Sequence, residues 1–105
     1  MATNRLDILK QMLEQDPKNT FARYGLAMEF AKSGDLDQAV AEFQSLIATD
    51  ENYAAAYFHA GQALEKSGKL DEARAVYEKG IEITTRKGDL HTRSEIEGAL
   101  SLLPI

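Results

Sequence analysis

The apolar residues of this 105-residue chain fall in short clusters separated by polar and charged residues. Within the clusters they recur three and four positions apart, which is the period of a helix with one buried face. Runs that alternate apolar and polar residues are absent, and so are the turn dipeptides typical of β-hairpins. The pattern therefore predicts an all-α chain with six helices, at about residues 4–15, 19–33, 36–49, 53–67, 70–87 and 89–103.

The pattern also repeats, because residues 20–53 align with residues 54–87 at an offset of 34 and without a gap. Each unit is predicted to form two helices. Gly34 or Gly68 ends the first, since glycine takes the left-handed conformation of a helix terminus at little steric cost.

The second helix of each unit begins directly after the glycine. Asp35 is expected to cap it in the first unit, in a capping box with Gln38. Lys69 stands at the equivalent position and is a poor cap, so the turn of the second unit is predicted to be the weaker one.

Both ends of the chain depart from the full unit. Residues 4–15 repeat the second helix of a unit, since Leu9 lies 34 residues before Phe43. Asp89 is expected to cap a last, out-of-phase helix that closes the stack, while Leu102 and Ile105 are expected to be exposed. The apolar stripe of that helix is Ile96, Ala99, Leu100 and Leu103. The predicted organisation is one domain over 1–105, with a half-repeat at 4–17, repeats at 20–53 and 54–87, and a capping helix at 88–105.

The spacing of small and large residues in the units resembles the tetratricopeptide repeat (TPR), a 34-residue helix–turn–helix. The matching positions are Leu26, Ala27, Phe30, Gly34, Ala39 and Phe43, followed by Tyr57, Ala60, Gly61, Leu64, Gly68, Ala73 and Tyr77. The small residues are expected to let the helices approach closely beside the large aromatic rings. The resemblance implies a short right-handed α-solenoid of antiparallel hairpins. It also implies that the first helices line a concave surface where peptides or partner helices lie.

Three positions depart from the family pattern. Arg23 stands where a large aromatic residue is preferred, and Glu51 and Thr85 replace the loop proline. The guanidinium of Arg23 is expected to reach a carboxylate such as Glu14 or Asp16, with its stem along the hairpin.

Composition excludes several classes of protein. The net charge of −5 and the dispersed basic residues argue against nucleic-acid binding. There is no cysteine, so disulfides and thiolate chemistry are excluded. No apolar run is long enough for a membrane span, and no apolar stretch follows the first residues. A cytoplasmic location is expected, although a mature protein without its signal would look the same.

Candidate catalytic and metal-binding groups are few. The histidines are His59 and His91, and no serine lies in a nucleophile motif. Glu95, four residues after His91, is the only carboxylate one helical turn from either histidine. We therefore expect no catalytic residues, no bound metal and no cofactor. Gly25, Gly61 and Gly80 are expected to serve close helix packing.

The first helix of each unit carries a second stripe that the hairpin core does not need. Its residues are Phe21, Tyr24, Met28 and Lys32 in the first unit, and Ala55, Phe58, Gln62 and Lys66 in the second. By the resemblance this stripe faces the groove, and exposed aromatic and methionine side chains suit a binding surface. Alternatively, the N-terminal helix or the C-terminal cap covers it.

A subclass of the family grips a C-terminal carboxylate with lysine and asparagine side chains. The corresponding positions here hold Tyr24, Met28 and His59, with Arg93 beyond, so we expect no such clamp and no recognition of a chaperone-type acidic tail. A more apolar ligand is expected, either an amphipathic helix or an extended segment. Lys32 and Lys66 would flank it and favour some acidic residues.

These observations predict a non-catalytic scaffold or adaptor that holds a protein or peptide partner. The alternative is a self-associating structural protein, a monomer or weak homodimer, in which the groove or Leu102 and Ile105 bind another copy. An enzyme is a third class, and nothing in the sequence supports it.

Overall fold

The computed structural model describes residues 4–104, and every regular element in that range is a helix. The helices are α1 (Arg5–Gln15), α2 (Thr20–Lys32), α3 (Leu36–Thr49), α4 (Ala54–Lys66), α5 (Leu70–Lys87) and α6 (Leu90–Ser101). Helix α2 packs against α3 and α4 against α5, while α1 lies against α2 and α6 lies against both α4 and α5. The predicted all-α solenoid is confirmed, with each helix boundary within two residues of the prediction.

The turns inside the two hairpins have the same geometry. Gly34 and Gly68 adopt positive φ angles of 86° and 77°, as predicted. In the first turn the amide of Asp35 donates to the carbonyl of Phe30 at 2.9 Å, and in the second the amide of Lys69 donates to the carbonyl of Leu64 at 2.9 Å. The glycine and these backbone bonds therefore define both turns.

The predicted capping box at Asp35 is wrong. The Asp35 side chain makes no cap hydrogen bond, and neither does Lys69, so the difference in capping that was expected to weaken the second turn is absent. The backbone bonds hold both turns without a side-chain cap at this position. The cap predicted at the last helix is confirmed, because Asp89 Oδ1 accepts from the amide of Thr92 at 3.1 Å.

The small residues provide close approach, as expected. A Cβ added at Gly61 would lie 2.1 Å from Cε1 of Tyr77, so the ring occupies the space that a side chain would need. At Gly80 an added Cβ would lie 2.7 Å from Cβ of Tyr57 and 2.8 Å from Cδ1 of Ile96. Gly80 therefore joins α5 to α4 on one side and to the last helix on the other.

Arg23 forms a different ion pair from the expected one. Its Nη1 lies 2.6 Å from Oε1 of Glu42 on α3, and its Nη2 donates to the carbonyl of Pro17 at 3.1 Å. The carboxylate of Asp16 instead accepts from the amide of Lys18. Hairpin packing brings Glu42 to the guanidinium, and local sequence distance does not reveal this partner.

The loops before α2 and before α4 are nearly superimposable in their backbone geometry. Asp16 has φ −142° and ψ 90°, and Asp50 has φ −141° and ψ 91°. Each carboxylate accepts at 3.1 Å from the amide two residues further on, that of Lys18 or Asn52. This equivalence supports the interpretation of α1 as the second helix of a half-repeat.

Among the described residues, no helix is both long enough and apolar enough to cross a membrane.

Candidate protein-interaction groove

The predicted stripe on α2 is partly open to solvent. Phe21 at the start of the helix is 64% exposed. Tyr24 and Met28 are half-buried and pack against the core, and Lys32 at the end of the helix is exposed. The stripe therefore presents one mostly exposed aromatic ring and two half-buried side chains.

The equivalent stripe on α4 is more covered. Ala55, Phe58 and Gln62 are half-buried, and Lys66 at the end of the helix is exposed. Phe58 packs against the edge of the core.

An aromatic cluster lies where α2 meets α4. The ring centroid of Tyr24 lies 5.3 Å from that of Tyr53, 5.9 Å from that of His59 and 6.3 Å from that of Phe43. His59 also lies edge-on to Phe58 at 5.2 Å and stacks on Phe43 at 6.2 Å. Tyr24 is therefore partly covered by Tyr53, at the end of its own unit, and by His59 of the next unit.

The titratable groups of this cluster are uncharged near neutral pH. Burial raises the pKa of Tyr24, and Tyr53 and Glu95 raise it further. Burial lowers the pKa of His59, and Glu95 partly opposes that shift. The floor of the groove is therefore aromatic and neutral, and the carboxylate of Glu95 on α6 lies near enough to act on both groups.

A cavity of about 430 Å³ opens beside the cluster, between the C-terminal halves of α2 and α4. Its lining includes Met28, Lys32, Leu36, His59, Gln62 and Lys66. Four of the eight predicted groove residues line it, and Phe21, Tyr24, Ala55 and Phe58 do not.

Sequence reasoning does not place Tyr53, His59 and Glu95 beside the stripe on α2, where the structure brings them. The equivalent of His59 in the first unit is Gly25, so the alignment of the two units shows no shared side chain at this position. A usable signal was the aromatic run Tyr57-Phe58-His59, which places three flat side chains on successive sides of one helix.

The His, Asp and Glu side chains are the candidate ligands for a metal site. Within residues 4–104 no three His, Cys, Asp or Glu side chains cluster as a metal site would require. His91 Nε2 lies 3.6 Å from Oε1 of Glu95, but the histidine side chain is 88% exposed. This is the solvated contact expected for residues one helical turn apart.

Comparisons with known proteins agree with this architecture. The tetratricopeptide repeat family model matches residues 24–86. A TPR repeat-containing protein of Pseudomonas aeruginosa is 28% identical over 88 residues, which cover 84% of each chain.

Solved structures give the same result. The crystal structure of a TPR domain protein from Salinibacter ruber is 34% identical with a TM-score of 0.73, over 78% of this chain and 91% of that one. The structure of YrrB, described as a TPR protein with an unusual peptide-binding site, is 25% identical with a TM-score of 0.82, over 92% of this chain and 47% of that one. The repeated hairpins, the glycine turns and these matches together place the chain in the tetratricopeptide repeat family.

Proposed function

We propose that this chain is a non-catalytic interaction module that binds a peptide or helix of a partner protein in the groove along α2 and α4. The observation that carries the proposal is Phe21, whose ring is 64% exposed at the head of a stripe that continues to Tyr24 and Met28. An exposed aromatic ring adds little to the core, whereas it offers a large contact area to a partner.

The character of the groove indicates the kind of ligand. Its floor consists of neutral rings, Tyr24 and Phe58 with His59 between them. Tyr24, Met28 and His59 stand where a carboxylate clamp would carry its lysine and asparagine side chains. None of the three is charged near neutral pH, because burial lowers the pKa of His59. An apolar face on an amphipathic helix or an extended segment therefore fits better than a strongly acidic terminal tail.

The likeness to YrrB supports the proposal, because that protein is described as having a peptide-binding site on the same fold. The general role of the family as a protein-interaction module supports it as well. A scaffold or adaptor role and a cytoplasmic location stay predictions.

A random peptide library tests the function. Peptides selected on the wild-type protein are expected to lose about tenfold or more in affinity for the Phe21→Ala variant, as for a hot-spot residue. The variant should keep the wild-type circular dichroism and urea midpoint, because the ring is mostly exposed. Leu90→Ala removes another exposed apolar side chain, 70% exposed on α6, and should leave affinity unchanged. Equal binding by the wild type and Phe21→Ala would refute the groove.

Self-association is the second candidate function. The observation that favours it is Leu102, which is 83% exposed at the end of α6, where the sequence predicted an exposed apolar residue. Ile105 lies outside the described residues. Light scattering over a range of protein concentrations tests this candidate.

A further inference from the structure

The cavity between α2 and α4 has an apolar floor and a basic rim. Met28, Leu36 and Ala63 contribute apolar surface to its 430 Å³. Lys32 and Lys66, the last residues of α2 and α4, both line it and are both exposed. The repeat therefore brings one lysine from each unit to the same opening.

These two lysines differ from most other basic residues of the chain. Six cations pair with carboxylates within 4.0 Å, namely Arg5, Arg23, Lys69, Lys79, Arg86 and Arg93. Lys32 and Lys66 have no such partner among residues 4–104, although the chain carries a net charge of −5. Two cations without a paired carboxylate at one opening of an acidic molecule favour a negatively charged ligand there.

The two carboxylates nearest the cavity each have a partner other than these lysines. Glu29 also lines it, but its Oε1 is held by Nε of Arg5 at 3.0 Å. Glu65, next to Lys66 in sequence, accepts the hydroxyl hydrogen bond of Tyr77. The negative ends of the two helix dipoles explain why lysine is tolerated at a helix C-terminus, but that effect does not require the two lysines to line one cavity.

The backbone at this end of the groove selects the source of a negative charge. The C-terminal ends of α2 and α4 expose carbonyl oxygens, whereas capture of a peptide C-terminus needs converging N–H donors. Besides the half-buried side chains of His59 and Gln62, the donors that line the cavity are the two ammonium groups, whose flexible stems place them at the solvent rim. A side-chain carboxylate beside a buried apolar residue meets both conditions.

We propose that this cavity takes a bulky apolar side chain of the partner while Lys32 and Lys66 bind an adjacent Asp or Glu side chain, so that the partner segment is read in one orientation. This inference rests on the proposed groove function and adds the chemistry that the partner must carry. The apolar side chain fills the cavity, and the acidic side chain lies outside it between the two ammonium groups.

The test uses a random dodecamer library fused through its C-terminal end, so that no peptide carries a free terminal carboxylate. Wild-type protein is expected to enrich Asp or Glu next to a bulky apolar residue. The Lys32→Gln/Lys66→Gln variant is expected to keep the apolar preference and lose the acidic one. For one enriched peptide and its Asp→Asn or Glu→Gln form, the wild type should show a roughly threefold to tenfold difference in Kd, and the double variant almost none.

A variant of equal charge serves as the control. Lys18→Gln/Lys79→Gln removes two cations that do not line the cavity, and it should retain the acidic preference. The inference is overturned if enriched peptides lack the acidic residue, or if the preference survives in Lys32→Gln/Lys66→Gln. Failure of any peptide to enrich on the wild type refutes the proposed groove function itself, which is a separate result.

Discussion

At the scale of single residues, the second hairpin closes around Tyr77. The ring is fully buried against the backbone of Gly61, and its hydroxyl donates to Glu65. Burial raises the pKa of Tyr77, and the bond to Glu65 raises it further, so the phenol stays neutral at any pH at which the protein is used. One small residue and one large one thus determine how closely α4 and α5 approach.

A substitution at Gly61 measures that approach. Gly61→Ala is expected to destabilise the protein by about 1–3 kcal/mol or more, because its Cβ would overlap the Tyr77 ring. The control is Gly98→Ala on α6, where nothing lies within 4 Å of an added Cβ. That change should stabilise by about 0.5–1 kcal/mol through helix propensity. Urea unfolding of both variants decides the matter, and equal midpoints would contradict this description of the contact.

Residue sizes were easier to predict from the sequence than residue partners. The pair Gly61 and Tyr77 recurs at the repeat offset as Ala27 and Phe43, so its role is visible without a structure. The partner of Arg23 is not, because Glu42 reaches it only through hairpin packing 19 positions away. The placement of His59 in the groove was missed for the same physical reason, since its neighbours come from the adjacent unit.

At the scale of elements, the backbone fixes some helix starts and side chains fix others. After Gly34 the chain turns through backbone hydrogen bonds alone, and the side chain of Asp35 is not used. Before α2 the side chain of Asn19 accepts from the amide of Ala22 at 3.0 Å. Sequence patterns located both starts within one residue, yet they assigned the cap at Asp35 wrongly because they cannot weigh a backbone alternative.

The two helix starts are predicted to respond differently to alanine. Asn19→Ala is expected to cost about 1 kcal/mol, the usual effect of losing a side-chain cap. Asp35→Ala should change the free energy of unfolding by less than about 0.5 kcal/mol, since no cap bond is lost. Thermal or urea unfolding measures both. A larger loss in Asp35→Ala than in Asn19→Ala would show that the carboxylate does act as a cap.

At the scale of the whole molecule, α6 at the C-terminal end of the stack carries a pair of charged side chains. Ile96 on α6 is fully buried, as is Ala60, which lies 36 residues earlier on α4. The same offset places Arg93 and Glu97 where α4 has Tyr57 and Gly61, and these two side chains form an exposed ion pair at 3.5 Å. The positions through which α4 packs against Tyr77 and Gly80 of α5 therefore hold charged side chains in α6, and the role of this helix as a cap stays a prediction.

The charged pair on α6 limits where self-association can occur. If copies associate through the exposed end of α6, Leu102→Glu is expected to reduce the mass at high protein concentration to that of the monomer. Leu90→Glu should not, because Leu90 lies at helical spacing from the charged pair of Arg93 and Glu97. Static light scattering over a hundredfold range of concentration, roughly micromolar to sub-millimolar, measures both variants. A wild-type protein that stays monomeric throughout that range removes self-association as a function.

The matching loops at Asp16 and Asp50 make the stretch between them a repeating cassette, that is, a segment that begins and ends with the same loop. The same backbone angles and the same carboxylate bond close it at both ends. Duplication of such a stretch in a gene joins one cassette to the next through a junction that already exists in the chain. Growth by whole units would therefore lengthen the surface along α2 and α4 in steps of one repeat.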